Sequence, residues 1–245
     1  MSTAQTIIAF DLYGTLLSTD SVTGELAKLV DDGAAKELST LWRRYQLEYT
    51  WRINSMGHYC SFSDITRASL LHAAAEMKLS LTSDDVGRAM EAYDALRVFP
   101  DVPPALEALS GLDSSEAEAY IFSNGTGEVL KASVYNSPDL KPYASAFRKV
   151  VSVEDVEVFK PDRKAYDHLL KGVGRVGAPG DVWLVSSNPF DALGAVAAGL
   201  KSCWIDRART GWIDRLGSVI GENMRPTLVA SSVGEAVQMI LKRQS

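Results

Sequence analysis

Ile7-Ile8-Ala9-Phe10-Asp11-Leu12-Tyr13-Gly14-Thr15-Leu16 is an apolar run that ends in an acid and a turn. Four apolar residues, three of them large, suit a fully buried strand bounded by a turn signal. Gly14 supplies a permissive turn, and Thr15 supplies a hydroxyl that can bond a carboxylate. A carboxylate at the exit of such a strand lies where open α/β sheets place their ligands. Held there, it can act as a covalent nucleophile. Taken alone, Asp11 also suits an ordinary turn or helix cap. Position 13 is Tyr, not a second acid.

Three further stretches repeat the arrangement. Ile121-Phe122-Ser123-Asn124-Gly125 brings uncharged donors to the end of a second strand, and Leu184-Val185-Ser186-Ser187-Asn188-Pro189-Phe190-Asp191 brings three small polar residues and an acid to another. Each by itself can also be read as capping and turn chemistry, the weaker of the two readings. Phe159-Lys160-Pro161 lies in a loop ahead of a helix containing Tyr166 and Leu169, where a lone lysine is ordinarily solvated. The coincidence of such groups at several strand ends is what points to a site. His58, His72 and His168 are scattered, and none is singled out for catalysis.

Apolar runs at Thr6–Phe10, Ala119–Phe122, Lys149–Ser152, Val182–Val185 and Ser202–Ile205 read as buried strands, with Thr227–Ala230 as an edge strand. Helical patterns between them predict a parallel sheet covered on both faces: an α/β, Rossmann-like three-layer α/β/α core. The region 19–96 shows no strand signal. Leu38, Leu41, Trp42, Tyr45 and Tyr49 keep helical spacing, as do Ile65, Ala68, Ser69, Leu71, His72 and Ala75. Val86, Met90, Tyr93 and Leu96 form a third helical series, with Thr82 and Asp85 as a capping-box variant. The expected division is a core of residues 1–18 and 97–245 carrying a helical cap subdomain, 19–96. The prolines of Val98–Pro104 mark the return to the core.

With 245 residues the chain can bury a substantial core. A formal net charge of -6, with no block of basic residues, argues against nucleic-acid binding. No run approaches the length of a membrane helix, and no signal-type apolar core opens the chain. Cys60 and Cys203 are far apart and are expected to be reduced thiols in a cytoplasmic protein.

The run D-x-Y-G-T-L, then S-N-G, then K-P, then S-S-N-x-x-D resembles the haloacid dehalogenase superfamily, and within it the L-2-haloacid dehalogenases. Leu41-Trp42-Arg43-Arg44-Tyr45-Gln46-Leu47-Glu48-Tyr49-Thr50-Trp51 resembles that family's cap helix, which carries a substrate-binding arginine. The resemblance implies that Asp11 attacks C2 of a 2-haloacid and that water then hydrolyses the aspartyl ester, giving the inverted 2-hydroxy acid. It implies that Arg43, helped by Asn124, receives the halide, and that Thr15, Ser123 and the backbone at Leu12 and Tyr13 hold the carboxylates. Lys160 would support ionised Asp11. Ser186, Asn188 and Asp191 would position Lys160 and the water, with Tyr166 supporting them. Leu47, Phe62 and Phe190 would wall the alkyl group, Phe190 standing where relatives often carry tryptophan. Arg43 and Arg44 diverge by about 100° on a helix, and periodicity does not choose between them; the family register favours Arg43.

The phosphatase branch of this superfamily carries a second aspartate two residues after the first, as a general acid and a support for Mg²⁺. Tyr13 in its place favours a metal-independent, cofactor-free dehalogenase, because a halide leaves without a proton. The expected partners are a small anionic haloacid, water and halide, with a homodimer through the cap compatible with its apolar residues. A Mg²⁺-dependent phosphatase and a non-catalytic metabolite-binding protein are the competing readings.

Overall fold

The computed structural model describes residues 5–113, 115–220 and 224–243. Strand β1, Thr6–Phe10, is followed by four helices: α1 Thr23–Leu26, α2 Asp32–Ser55, α3 Phe62–Glu76 and α4 Ser83–Asp94. The chain then alternates through α5 Val102–Ser110, β2 Ala117–Ser123, α6 Gly127–Tyr135, β3 Phe147–Ser152 and α7 Arg163–Gly172. It continues with β4 Val182–Ser186, α8 Pro189–Ala197, β5 Lys201–Ile205, α9 Leu216–Val219, β6 Leu228–Ala230 and α10 Val233–Lys242.

The six strands form one parallel sheet in the order β3-β2-β1-β4-β5-β6. All five residues of β1 are buried, as a central strand covered on both faces requires. From β1 the chain builds outward to β2 and β3, then crosses back to β4 and builds the other way. Parallel strands joined in this way need crossover connections, and the helices pack in pairs: α5 on α10, and α7 on α8. The direction reverses between β1 and β4, the crevice where sheets of this kind bind ligands.

The strands lie where the apolar runs predict them, with starts that differ. β2, β3 and β5 begin one or two residues early, and β6 excludes Thr227. Each extension includes a charged residue, Glu118 on β2, Arg148 on β3 and Lys201 on β5, and Glu118 pairs with Arg148 at 3.0 Å. Charged residues at a sheet margin hide a strand from a reading based on apolar runs.

Among the described residues, 19–96 holds helices and no strand. The chain leaves and re-enters the sheet region side by side, with Ser18 N–H donating to Arg97 O at 2.7 Å and Phe99 N–H to Leu16 O at 3.0 Å. Helix α2 starts on Asp31, whose side chain accepts from Ala34 N–H, and α4 on the full Thr82–Asp85 capping box. Leu96 lies beyond the end of α4, although it is buried. The expected buried face of α3 needs correction. Ile65 and Ser69 face inward as that series expects, joined by Thr66, Leu70, Ala73 and Ala74, whereas Ala68, Leu71 and Ala75 are exposed. Thr66 and Ser69 tolerate burial because their hydroxyls donate to the carbonyls of Phe62 and Thr66. No helix among the described residues is long and apolar enough to cross a membrane.

Thr82→Ala removes the side-chain acceptor of the α4 box. It is expected to lower stability by about 1 kcal/mol and the melting temperature by roughly 2–4 °C. Melting at the wild-type temperature would show that α4 lies outside the cooperative unit.

Candidate active site

The carboxyl ends of β1, β2 and β4 and the loop before α7 converge on Asp11, which is 4% exposed. Its backbone N–H donates to Val185 O at 3.0 Å, fixing the acid at the exit of β1 against β4. Gly14 then turns the chain at φ +82°, a conformation that disfavours any side chain. Thr15 Oγ1 donates back to Asp11 Oδ2 at 2.7 Å. The same oxygen accepts from Asn188 Nδ2 at 2.7 Å and Ser186 Oγ at 3.3 Å. Oδ1 accepts from Lys160 Nζ at 2.8 Å.

Lys160 is 1% exposed and its ammonium bridges two acids, since Nζ also donates to Asp191 Oδ2 at 2.7 Å. A third bond runs to Phe122 O at 3.2 Å, and the ammonium lies 4.7 Å from the Phe122 ring centre. Burial alone would depress the Lys160 pKa, but Asp11 and Asp191 outweigh it and hold the group above its ordinary 10.5. The lysine is therefore a cation at neutral pH. Asp191 is fully buried in the first turn of α8. Burial raises its carboxyl above the usual carboxylate range, and the charge of Asp11 adds to this, while Lys160 opposes it. Tyr166 donates to Asp191 Oδ1 at 2.9 Å, and burial beside that carboxylate pushes the phenol well above its normal range.

The loops are tied to one another as well as to the acid. Asn188 Nδ2 also donates to Tyr13 O at 3.0 Å, and Ser187 N–H to Thr15 Oγ1 at 2.9 Å. Asn124 Oδ1 accepts from Lys160 N–H at 2.9 Å, placing the lysine backbone. Ser123 is buried at the end of β2, and its Oγ accepts from Gly125 N–H at 3.4 Å rather than bonding Asp11.

The helices supply the other wall. Arg43 on α2 donates from Nη2 to Tyr13 O at 3.3 Å and to Asn188 Oδ1 at 3.4 Å, while Arg44 is exposed. Of the two arginines, Arg43 is the one whose guanidinium reaches the turn after β1. Leu47 lies one turn further along the same helix and is half-buried. Tyr13 is gripped between rings of the helical region, 5.3 Å from Phe62 and 5.8 Å from Tyr93 by ring centres. Burial pushes its phenol far above the ordinary value of 10.0, so Tyr13 is neutral. Phe190 is half-buried and meets Trp51 of α2 edge-on at 5.4 Å. Leu12 is buried, and its carbonyl closes the turn by accepting from the N–H groups of Leu16 and Leu17.

Several residues that pattern reading passes over also hold the site. Gln46, fully buried, accepts from Arg43 Nη1 at 2.6 Å. Asn54, near the end of α2, exchanges two hydrogen bonds with the backbone of Phe159, at 2.6 and 3.0 Å, next to Lys160. Arg207 pairs through two nitrogens with Asp101 and donates to Ser187 Oγ and Thr15 O, each at 2.8 Å. A neutral amide three residues after Arg43 was a visible signal for Gln46. Asn54 and Arg207 act across long sequence separations and carry no local signal.

Comparison with known proteins assigns the family. The family model of haloacid dehalogenase-like hydrolases matches residues 6–199, and the chain belongs to that family. It is 36% identical over 227 residues to an (S)-2-haloacid dehalogenase of Pseudomonas fluorescens, covering 92% of each chain. It is 37% identical over 202 residues to the haloacetate dehalogenase H-2 of a Moraxella species, 82% of this chain and 85% of that one. The crystal structure of L-2-haloacid dehalogenase from Xanthobacter autotrophicus superposes with a TM-score of 0.80 at 28% identity, over 96% of this chain and 98% of that one. A second structure of that enzyme, with chloropropionic acid covalently bound, matches equally well.

Gly194 on α8 approaches Tyr166 and Pro161 so closely that a Cβ there would overlap both. Gly194→Ala is expected to cost about 1–3 kcal/mol in urea unfolding, as overpacking does. Unchanged stability would show that Tyr166 is free to leave Asp191.

Proposed function

We propose that this protein is a hydrolytic dehalogenase of short L-2-haloacids, working through a covalent ester on Asp11. The observation that carries the reading is the buried Asp11, held by Lys160, Thr15, Ser186 and Asn188 and faced by Arg43. Relatives that share most of the chain's length are (S)-2-haloacid and haloacetate dehalogenases.

Asp11 attacks C2 of the substrate opposite the halogen. Oδ1, which takes Lys160 alone among the described residues, keeps a lone pair for the bond, whereas Oδ2 already accepts three donors. The C–O bond forms as the C–halogen bond breaks, and the halide leaves with the electron pair toward Arg43 and the amide of Asn124. Ser123 and the backbone at Leu12 and Tyr13 receive the substrate carboxylate. Leu47, Phe62 and Phe190 enclose the alkyl group. Water then attacks the ester carbonyl of Asp11 and gives a proton to Asp191, whose raised pKa suits a base. The C–O bond of the ester breaks as its alkoxide oxygen takes that proton, and water's second proton passes to solvent. The 2-hydroxy acid departs with inverted configuration, and Asp11 is restored.

Charge decides why these groups are needed. An anionic nucleophile receives an anionic substrate, which is costly in a dry site. Two carboxylates, Asp11 and Asp191, stand against two cations, Lys160 and Arg43, so the empty pocket is near neutral before the haloacid enters. Tyr13 supports halide chemistry over phosphoryl transfer: a neutral, gripped ring offers no acid to an alcohol leaving group. The acids converge on an ammonium, and no cluster of three or more His, Cys, Asp or Glu suited to a metal occurs among the described residues.

Residues 19–96 act as a cap subdomain over a core of 1–18 and 97–245. Exposed Trp51, Met56 and Leu71 on the cap fit a homodimer contact, and two free thiols fit a cytoplasmic setting.

The test is halide release from L- and D-2-chloropropionate with EDTA present, alongside p-nitrophenyl phosphate with Mg²⁺. Halide from the L form alone, D-2-hydroxypropionate as product and none from Asp11→Asn are expected. Phosphate release with both haloacids inert would overturn the reading.

A further inference from the structure

We infer that Gln46 is a positioning residue that holds Arg43 by a neutral acceptor and so preserves its full positive charge for the departing halide. The inference rests on the dehalogenase reading above. Three acceptors hold the guanidinium: Gln46 Oε1 at 2.6 Å, Tyr13 O at 3.3 Å and Asn188 Oδ1 at 3.4 Å. None carries a charge. Among the described residues Arg43 enters no ion pair, whereas Lys160, Arg97 and Arg207 are each paired with carboxylates.

The orientation of the Gln46 amide follows from its neighbours. Thr66 Oγ1 donates to Phe62 O at 2.7 Å inside α3, so toward Gln46 it must accept. Gln46 Nε2 donates to it at 2.6 Å. The amide oxygen is thereby turned to Arg43, and Tyr93 donates to that same oxygen at 2.9 Å. This chain of directed bonds joins α2, α3 and α4 behind one cation. Gln46, Thr66 and Tyr93 are all buried, so water does not substitute for a lost partner.

A glutamate at position 46 would occupy the same space and bond Arg43 more strongly. It would also place a full negative charge where halide has to be attracted, and in a buried site that charge is poorly screened. A leucine would leave the charge intact but remove the acceptor. The amide alone among these three both orients the guanidinium and leaves its charge available. A role confined to packing and folding makes the opposite ranking, with isosteric glutamate the better tolerated.

The experiment compares Gln46→Glu, Gln46→Leu and wild type at pH 8. Bromide binding is followed by tryptophan fluorescence without turnover, and KM and kcat are measured with L-2-chloropropionate. Gln46→Glu is expected to weaken bromide binding and raise KM by about tenfold or more, and to do so by more than Gln46→Leu. Wild-type bromide affinity in Gln46→Glu, or a larger loss in Gln46→Leu, would overturn the inference. If Gln46→Glu does not fold, Thr66→Val decides, because it removes the acceptor that orients the amide. A several-fold loss of bromide affinity is expected there, and wild-type affinity would overturn the inference. A wild-type protein that neither releases halide nor binds bromide would sink the dehalogenase reading and this inference together. Normal wild-type turnover with Gln46→Glu equally active would sink the inference alone.

Discussion

The ammonium of Lys160, 2.8 Å from Asp11 and 2.7 Å from Asp191, is the contact on which the rest of this structure depends. Two carboxylates buried without a cation would carry several kcal/mol of desolvation and mutual repulsion. Through that one charge the ends of β1 and β4 and the loop before α7 form a single polar cluster under the sheet's open edge. The remaining oxygens are saturated by hydroxyls and amides, which add donors without adding charge: Thr15, Ser186 and Asn188 on Asp11, Tyr166 on Asp191. A buried cluster of this kind contributes little to stability compared with an apolar core of the same volume. What it provides is a carboxylate held in one orientation, already stripped of water.

The sheet order explains why these residues meet. β1 lies at the centre, and the chain departs from it in opposite directions on either side. The crevice left at the reversal receives the exits of β1 and β4, while β2 contributes from the next position. The helical region then closes the open side. Its grip is aromatic, with Tyr13 between Phe62 and Tyr93, and polar, with Arg43 reaching the Tyr13 carbonyl and Asn54 the Phe159 backbone. Tyr13 thus takes a structural part at the position where a second acid would stand in the phosphatase branch. An aspartate there would offer no ring to Phe62 and Tyr93 and would add a third negative charge to the cluster.

Much of this was legible in the sequence because strand exits are local events. Asp11, Ser123 and Ser186 end apolar runs, and the sheet places them together whatever the loops do. Lys160 was legible only in company, since a loop lysine looks the same whether solvated or buried. Periodicity does not separate Arg43 from Arg44, because neither lies on the apolar stripe; in the fold it is Arg43 that reaches the turn after β1. The inward face of α3 is rotated from the expected one for a physical reason: Thr66 satisfies its hydroxyl on its own helix and packs inward with Leu70 and Ala73, leaving Leu71 exposed. The spacing of Gln46, three residues after Arg43, is visible in the sequence, but its partners Thr66 and Tyr93 come from other helices and are not. Asn54 and Arg207 bind partners more than 100 residues away, which no local pattern reports.

The central claim is that Asp11 bonds to carbon instead of activating water. A single turnover with protein in excess, in water enriched in oxygen-18, separates the two. The account predicts that the 2-hydroxy acid leaves with an unlabelled oxygen taken from Asp11, and that the peptide containing Asp11 gains one heavy oxygen by mass spectrometry. A labelled hydroxy acid with an unlabelled Asp11 peptide would contradict it, since water would then have attacked the substrate directly.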